Sequence, residues 1–240
     1  MVYIIASGKG GTGKTALACG LSFAFAERGI RVLMIDGDTA TRSLSTAMNV
    51  YESAVFDLSD VAFGTVSVAE AAISHPDYGN ILVLTSPMEE SSLTETCVAD
   101  AVKQAKSDNL ADVIIIDGPA GLGSGFRRCA MGADKGIIVA TSDAISLRSA
   151  DLAAAELERL GVNDLRMVVN RVSKKITGRG GMPNIDDAID LAALPLIGYI
   201  PEDRKVITSL ALGIPITKQR GSRAAASYRE IAGKLERSDL

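Results

Sequence analysis

The nine residues Ser7-Gly8-Lys9-Gly10-Gly11-Thr12-Gly13-Lys14-Thr15 constrain this chain more than any other segment. They follow an apolar run, residues 2–6, and satisfy the spacing G-x-x-x-x-G-K-[ST] with Gly8, Gly13, Lys14 and Thr15 at the specified places. Glycines let a backbone curl until several N–H groups point at one anion. A lysine adds a mobile positive charge, and a threonine hydroxyl adds a hard oxygen ligand for Mg2+. A helix starting at residue 14 would aim its positive dipole end at the same anion. A glycine-rich turn with a solvated lysine is the alternative, and it leaves the spacing unexplained. The segment implies a nucleoside triphosphate held by Gly8, Lys9, Gly10, Gly11, Thr12, Gly13, Lys14, Thr15 and Ala16.

Further along, apolar runs at 2–6, 32–35, 81–85, 113–116, 136–141, 165–170 and 196–200 alternate with helical patterns. The helices are expected near 14–28, 68–73, 93–106, 147–160, 185–193, 206–212 and 224–235. This alternation predicts an α/β fold, a doubly wound, mostly parallel sheet of about seven to eight strands with helices on both faces. Ser67 with Glu70, and Ser92 with Glu95, have capping-box spacing, and Gly29 and Gly161 sit where helices would stop. At 240 residues, 47% hydrophobic and 22% charged, the chain is expected to form one domain over 1–240, with a mobile loop at 173–182. The formal charge of −4 supplies no global attraction to nucleic acid or anionic membrane. No apolar run approaches the ~18–20 residues of a membrane span, and the N-terminal strand leads straight into the glycine loop, so cytoplasmic residence is expected.

Cysteine and histidine chemistry has little support. Cys19, Cys97 and Cys129 form no C-x-x-C pair. Cys19 and Cys97 fall on apolar helix faces, where cysteine is usually a small core residue. The single His75 precedes Pro76 in an expected loop and reads as structural or solvated.

In open α/β sheets ligands lie beyond the carboxyl ends of the strands. Asp36-Gly37-Asp38, Asp117-Gly118-Pro119-Ala120-Gly121 and Asn170-Arg171 each follow an apolar run, which places them on one rim with the glycine loop. Each could be an ordinary turn. Together they suit a nucleotide: Asp117 has the position of a carboxylate beside a Mg2+ shell, and the Asn170 amide can donate to and accept from an adenine edge.

Lys-Gly-Gly-x-Gly-Lys-Thr, with Lys9 first, resembles the deviant Walker A loop of the MinD/ParA family of P-loop ATPases. The resemblance runs from Met1 to about Leu235, and segments 125–150 and 200–215 are similar to the MinD branch. It continues through Arg42 and Leu44 and departs at Thr39-Ala40; the Pro-Gln usual after the second aspartate of ParA-type chains is absent. The resemblance implies that Lys14 acts in cis on the phosphates and Lys9 in trans, across a homodimer formed with ATP. It implies that Asp38 positions the attacking water, that Thr15, Asp36 and Asp117 hold Mg2+ and its shell, and that 117–121 senses the γ-phosphate. Asn170, Arg171 and the Pro201-Glu202-Asp203 loop would contact the purine; no N-K-x-D signature for guanine is present, which favours ATP.

The implied activity is Mg2+-dependent ATP hydrolysis, slow without a protein activator or localising partner, used to position cell division or another cellular assembly. One alternative is a ParA-like ATPase for DNA or cargo segregation, held on DNA by Lys218, Arg220, Arg223 and Arg229. The other is an iron–sulfur or electron-transfer ATPase of the same fold, with Cys129 at a dimer seam. The stripe Ala224, Tyr228, Ile231, Leu235 reads as the packing face of the last helix, and with little sequence after it no membrane anchor is expected.

Overall fold

Every residue of β1 (Val2–Ala6), β2 (Val32–Asp36) and β5 (Val113–Asp117) is buried. Continuous apolar strands of this kind need cover on both faces. In this computed structural model, which describes residues 1–89, 92–173 and 194–239, they form the centre of the sheet. The other strands are β3 (Ile73–His75), β4 (Tyr78–Leu84), β6 (Lys135–Thr141), β7 (Asp164–Val172) and β8 (Leu196–Pro201). The order is β3-β4-β2-β5-β1-β6-β7-β8, with every pairing parallel except β3 with β4. The expected α/β architecture is therefore present.

The described helices are α1 (Lys14–Ala26), α2 (Ser43–Ala47), α3 (Leu58–Ala62), α4 (Val68–Ala71), α5 (Cys97–Ser107), α6 (Ser124–Ala130), α7 (Ala144–Arg159), α8 (Arg204–Leu212) and α9 (Arg223–Asp239). Alternate residues of β1 divide between two cores. Ile4 and Ala6 pack with Val98, Phe126 and Leu147 of α5, α6 and α7; Tyr3 and Ile5 pack with Leu17, Tyr228 and Ile231 of α1 and α9. Gly20 of α1 faces the Tyr228 ring, which a Cβ at residue 20 would approach to 2.6 Å. The stripe Ala224, Tyr228, Ile231, Leu235 is buried as anticipated. At its far end α9 is pinned to β1 and β6: the Tyr3 hydroxyl and the Lys135 ammonium each lie 2.6 Å from the Asp239 carboxylate.

Three local expectations change. The helix expected over 68–73 ends at Ala71, and Ile73–His75 instead forms the edge strand β3. The capping box before it does form: Ser67 N donates to Glu70 Oε2 at 2.8 Å, and Glu70 N to Ser67 Oγ at 3.2 Å. Its twin at Ser92 does not, because the Ser92 hydroxyl donates to Glu89 O at 2.6 Å and α5 begins only at Cys97. The short helices α2, α3 and α6 had no periodic signature. The helix expected at 185–193 lies outside the described residues, as does the loop at 173–182 beyond Ser173.

Candidate functional site

Loop 7–13 leaves β1 and turns into α1 through Gly13, whose φ of 97° is left-handed and favours glycine. A side chain at Gly13 would strike the Asn170 amide, and one at Gly8 would strike the Ser149 carbonyl of α7. The loop is thus gripped from β7 and from α7, with room for backbone only. Lys14 is buried, and its ammonium donates to Ser7 Oγ at 3.3 Å. Burial pulls its pKa down, opposed by the carboxylates of Asp117 and Asp38.

Asp36 and Asp117 are register partners at the carboxyl ends of β2 and β5. Thr15 Oγ1 donates to Asp117 Oδ2 at 2.7 Å and lies 3.2 Å from Ser43 Oγ. Asp36 Oδ1 accepts from Asp38 N at 3.0 Å. Among the described residues, Asp36 Oδ2 and Asp117 Oδ1 are buried without a hydrogen-bond partner. Burial raises the pKa of Asp117 to about 7, and burial with Asp117 alongside pushes Asp36 up too. Two unsatisfied buried carboxylate oxygens beside a hydroxyl form a hard-oxygen site that asks for a cation. No trio of acidic, histidine or cysteine side chains is gathered as a cage among the described residues. That donor set fits Mg2+, which keeps several waters and takes its remaining ligands from phosphates.

Asp38 closes a turn on itself, accepting from Ala40 N at 3.1 Å, Thr41 N at 3.3 Å and Thr41 Oγ1 at 2.9 Å. Arg42 follows in left-handed conformation and donates Nε to Ser86 O at 2.9 Å, tying this loop to the end of β4. Across the rim, Gly118 N donates to Ile5 O at 3.0 Å, and a Cβ there would press on that carbonyl at 2.8 Å. Gly10 faces Ala120 of the same loop. The two acidic loops therefore flank the glycine loop, as their placement at strand ends implied.

Lys9 points to the outer edge of this rim, where its Nζ lies 3.3 Å from Asp143 Oδ1, with both side chains roughly a third or more exposed. Asp143 caps α7 by accepting from Ser146 N at 2.9 Å and also takes the Thr141 hydroxyl at 2.5 Å. Burial works upward on its pKa, but these donors and Lys9 hold it below the usual value. Asp143, Ser7 and Ser43 were missed by sequence reasoning. Asp143 stands just after β6 on the same rim, a signal of the kind that singled out Asp117.

At the end of β7, Asn170 is buried; its Nδ2 donates to Thr12 O at 2.7 Å and its Oδ1 accepts from Arg171 N at 2.9 Å. Arg171 has a left-handed φ of 56°. Glu202 N donates to Val172 O at 3.0 Å, which brings Pro201-Glu202-Asp203 beside the end of β7. The Asp203 carboxylate itself is taken up by the protein, capping both α8 and α9.

Cys129 lies on α6 directly behind Gly37, where a Cβ would meet its sulfur. It is fully buried, as are Cys19 and Cys97, and burial raises all three thiol pKa values. A cysteine used up in packing against Gly37 is unavailable at a surface seam, which removes the feature behind the iron–sulfur alternative. The basic residues considered for DNA are partly engaged: Lys218 pairs with Asp77 at 3.2 Å and Arg229 with Glu27 at 2.7 Å. No helix among the described residues is long and apolar enough to cross a membrane.

A parallel sheet whose first strand feeds a glycine loop, a buried lysine and a hydroxyl-bearing helix start defines a P-loop nucleotide-binding protein. The profile described as the CobQ/CobB/MinD/ParA nucleotide binding domain matches residues 3–216, and the chain belongs to that family. It is 31% identical over 242 aligned positions to the septum site-determining protein MinD of Synechocystis sp., covering 100% of this chain and 90% of that protein. Among solved structures it is similar to the MinC:MinD cell division protein complex of Aquifex aeolicus, with TM-score 0.91 and 29% identity over 100% of this chain and 96% of that one. It is also similar to the septum site-determining protein MinD complexed with Mg-ADP from Pyrococcus horikoshii, with TM-score 0.87 and 27% identity over 99% and 96% of the two chains.

Proposed function

We propose that this chain is a MinD-like ATPase, a single cytoplasmic domain that dimerises with ATP and separates after hydrolysis to ADP and phosphate, and that it helps position cell division. The observation that carries the reading is the Thr15–Asp117 hydrogen bond at the start of α1, next to buried Lys14 and Asp36, with one oxygen of each carboxylate lacking a partner among the described residues. Full-length similarity to MinD proteins, one solved with Mg-ADP and another with MinC, supports the nucleotide, the metal and a protein partner.

In this reading the backbone N–H groups of 8–15 cradle the phosphates and Lys14 neutralises charge in cis. Mg2+, held by Thr15 and through the carboxylates of Asp36 and Asp117, would offset charge on the β- and γ-phosphates. Asp38, at the half-buried edge of its loop, orients the attacking water. Pro201, Glu202 and Asn170, with Arg171, shape the base side. Lys9 serves the partner subunit's nucleotide, so hydrolysis waits on dimerisation. Exposed Ile145 and Leu152 on α7, the helix that Asp143 caps, give that contact an apolar surface.

The test combines nucleotide binding, turnover and light scattering. Wild-type protein is expected to bind and slowly hydrolyse ATP with Mg2+, Lys14→Ala to lose nucleotide, and Asp38→Ala to bind ATP without turnover. Asp38→Ala should double its mass with ATP but not with ADP. Equal masses would overturn the switch, and absence of ATP binding the whole reading. A salt-sensitive shift of duplex DNA by the ATP-bound form would instead favour the segregation alternative.

A further inference from the structure

The Asp203 carboxylate accepts from Lys205 N at 3.0 Å, Ser222 Oγ at 2.7 Å, Arg223 N at 3.0 Å and Ala224 N at 3.3 Å. A carboxylate offers about four lone-pair sites. Oδ2 takes three of these donors and Oδ1 one, so the side chain that a family resemblance sets against the purine is committed mainly to protein donors. Its bonds run in two directions. Oδ1 closes the first turn of α8, and Oδ2 closes the first turn of α9, far along the chain. Neighbouring contacts repeat the connection: Lys205 Nζ donates to Arg220 O at 2.5 Å, and Arg223 donates to Glu202 O at 3.5 Å.

The other end of this linkage is the phosphate loop. α9 packs its Tyr228 ring into the gap left by Gly20 of α1, and α1 begins at Lys14. The base loop and the phosphate loop are therefore braced by one helix. We infer that Asp203 is a positioning residue, which latches the 201–203 loop to the first turn of α9 and so couples seating of the nucleobase to docking of the last helix. This rests on the ATP reading above. In this arrangement a base seated against the loop stiffens the latch, and a loosened latch weakens base contacts while leaving the phosphate contacts intact.

Hydrogen exchange of the Lys205, Arg223 and Ala224 amides, with and without Mg-ATP, reads the latch directly. Binding of ATP and of inorganic tripolyphosphate, measured in parallel, separates the base side from the phosphate side. In wild-type protein ATP should slow exchange of all three amides, and tripolyphosphate should not. Asp203→Ala should weaken ATP about tenfold, the equivalent of roughly one helix cap, and leave tripolyphosphate binding unchanged. Should Asp203→Ala fold poorly, Asp203→Asn, which retains one acceptor, and Ser222→Ala should show smaller changes of the same kind. Equal weakening of both ligands would mark Asp203 as merely structural and overturn the inference. So would ATP binding to wild-type protein with no change at Arg223 and Ala224. Failure of wild-type protein to bind ATP at all would overturn the functional reading together with this one.

Discussion

The Lys9 ammonium is held 3.3 Å from the Asp143 carboxylate of its own chain. A lysine proposed to act on a partner's nucleotide is thus engaged in cis, and it must exchange one carboxylate for a set of phosphates on dimerisation. The pair is exposed, so it is worth at most about 1 kcal/mol. Two such pairs break per dimer, about 2 kcal/mol or roughly 30-fold in the dimer constant. Asp143→Asn keeps the cap on Ser146 N and discards the charge. It is therefore expected to tighten ATP-dependent dimerisation by up to that factor, measured by sedimentation at several protein concentrations. Unchanged or weaker dimerisation would refute the competition.

Asp117 and Asp36 are stacked side by side without enough donors, a cost the nucleotide-free protein bears. Removing one charge relieves it. Asp117→Asn should raise the melting temperature of the nucleotide-free protein and at the same time abolish the further stabilisation given by Mg-ATP. Both readings come from one pair of thermal scans, and a variant less stable than wild type without nucleotide would contradict the account.

Gly37 leaves no space for a methyl group, with the Cys129 sulfur against it and Asp117 O at 3.0 Å from a built Cβ. Gly37→Ala should destabilise by about 1–3 kcal/mol through overpacking. Adding Cys129→Ala vacates the sulfur's position and should recover part of that loss. Denaturant titrations of the four proteins in the cycle give the coupling energy, and simple additivity would show that the sulfur is not the obstacle.

His75 is 2% exposed at the end of β3, its ring edge-on to Phe23 at 5.3 Å. Its Nδ1 accepts from Asp77 N at 3.0 Å, and its Nε2 has no partner among the described residues. Burial depresses its pKa; Asp77 opposes that and Lys218 adds to it. Depression of a histidine means the neutral form is the folded one. Stability is therefore full above the unfolded value of 6.5 and declines as pH falls below it. The melting temperature should drop between pH 7 and pH 5 more steeply in wild type than in His75→Phe, and parallel slopes would exclude His75 as the cause.

Much of this was legible because buried parallel strands are written as unbroken apolar runs, and because the phosphate loop is local in sequence. β1, β2 and β5 and the loop between Ser7 and Lys14 needed nothing else. β3 escaped because three residues paired with a neighbouring strand carry no period of their own. The start of α5 lies at Cys97 with Thr96 at its N-cap position, and the Ser92 hydroxyl turns back to Glu89 O, a local arrangement that capping-box spacing does not report. Asp143 and the four-way engagement of Asp203 join segments distant in the chain, and no spacing rule reports such meetings.

The strand order has a kinetic consequence. β1 finds its neighbours in β5 and β6, and Thr15 receives Asp117 from far down the chain. Parallel pairings of such wide sequence separation are slow to close, since the intervening loop entropy is lost before the contacts form. The glycine loop is synthesised before its acidic companions and is without them until the middle of the sheet has zipped. A triphosphate that needs both halves would then bind only chains that have finished folding, and its capture would hold that last pairing shut.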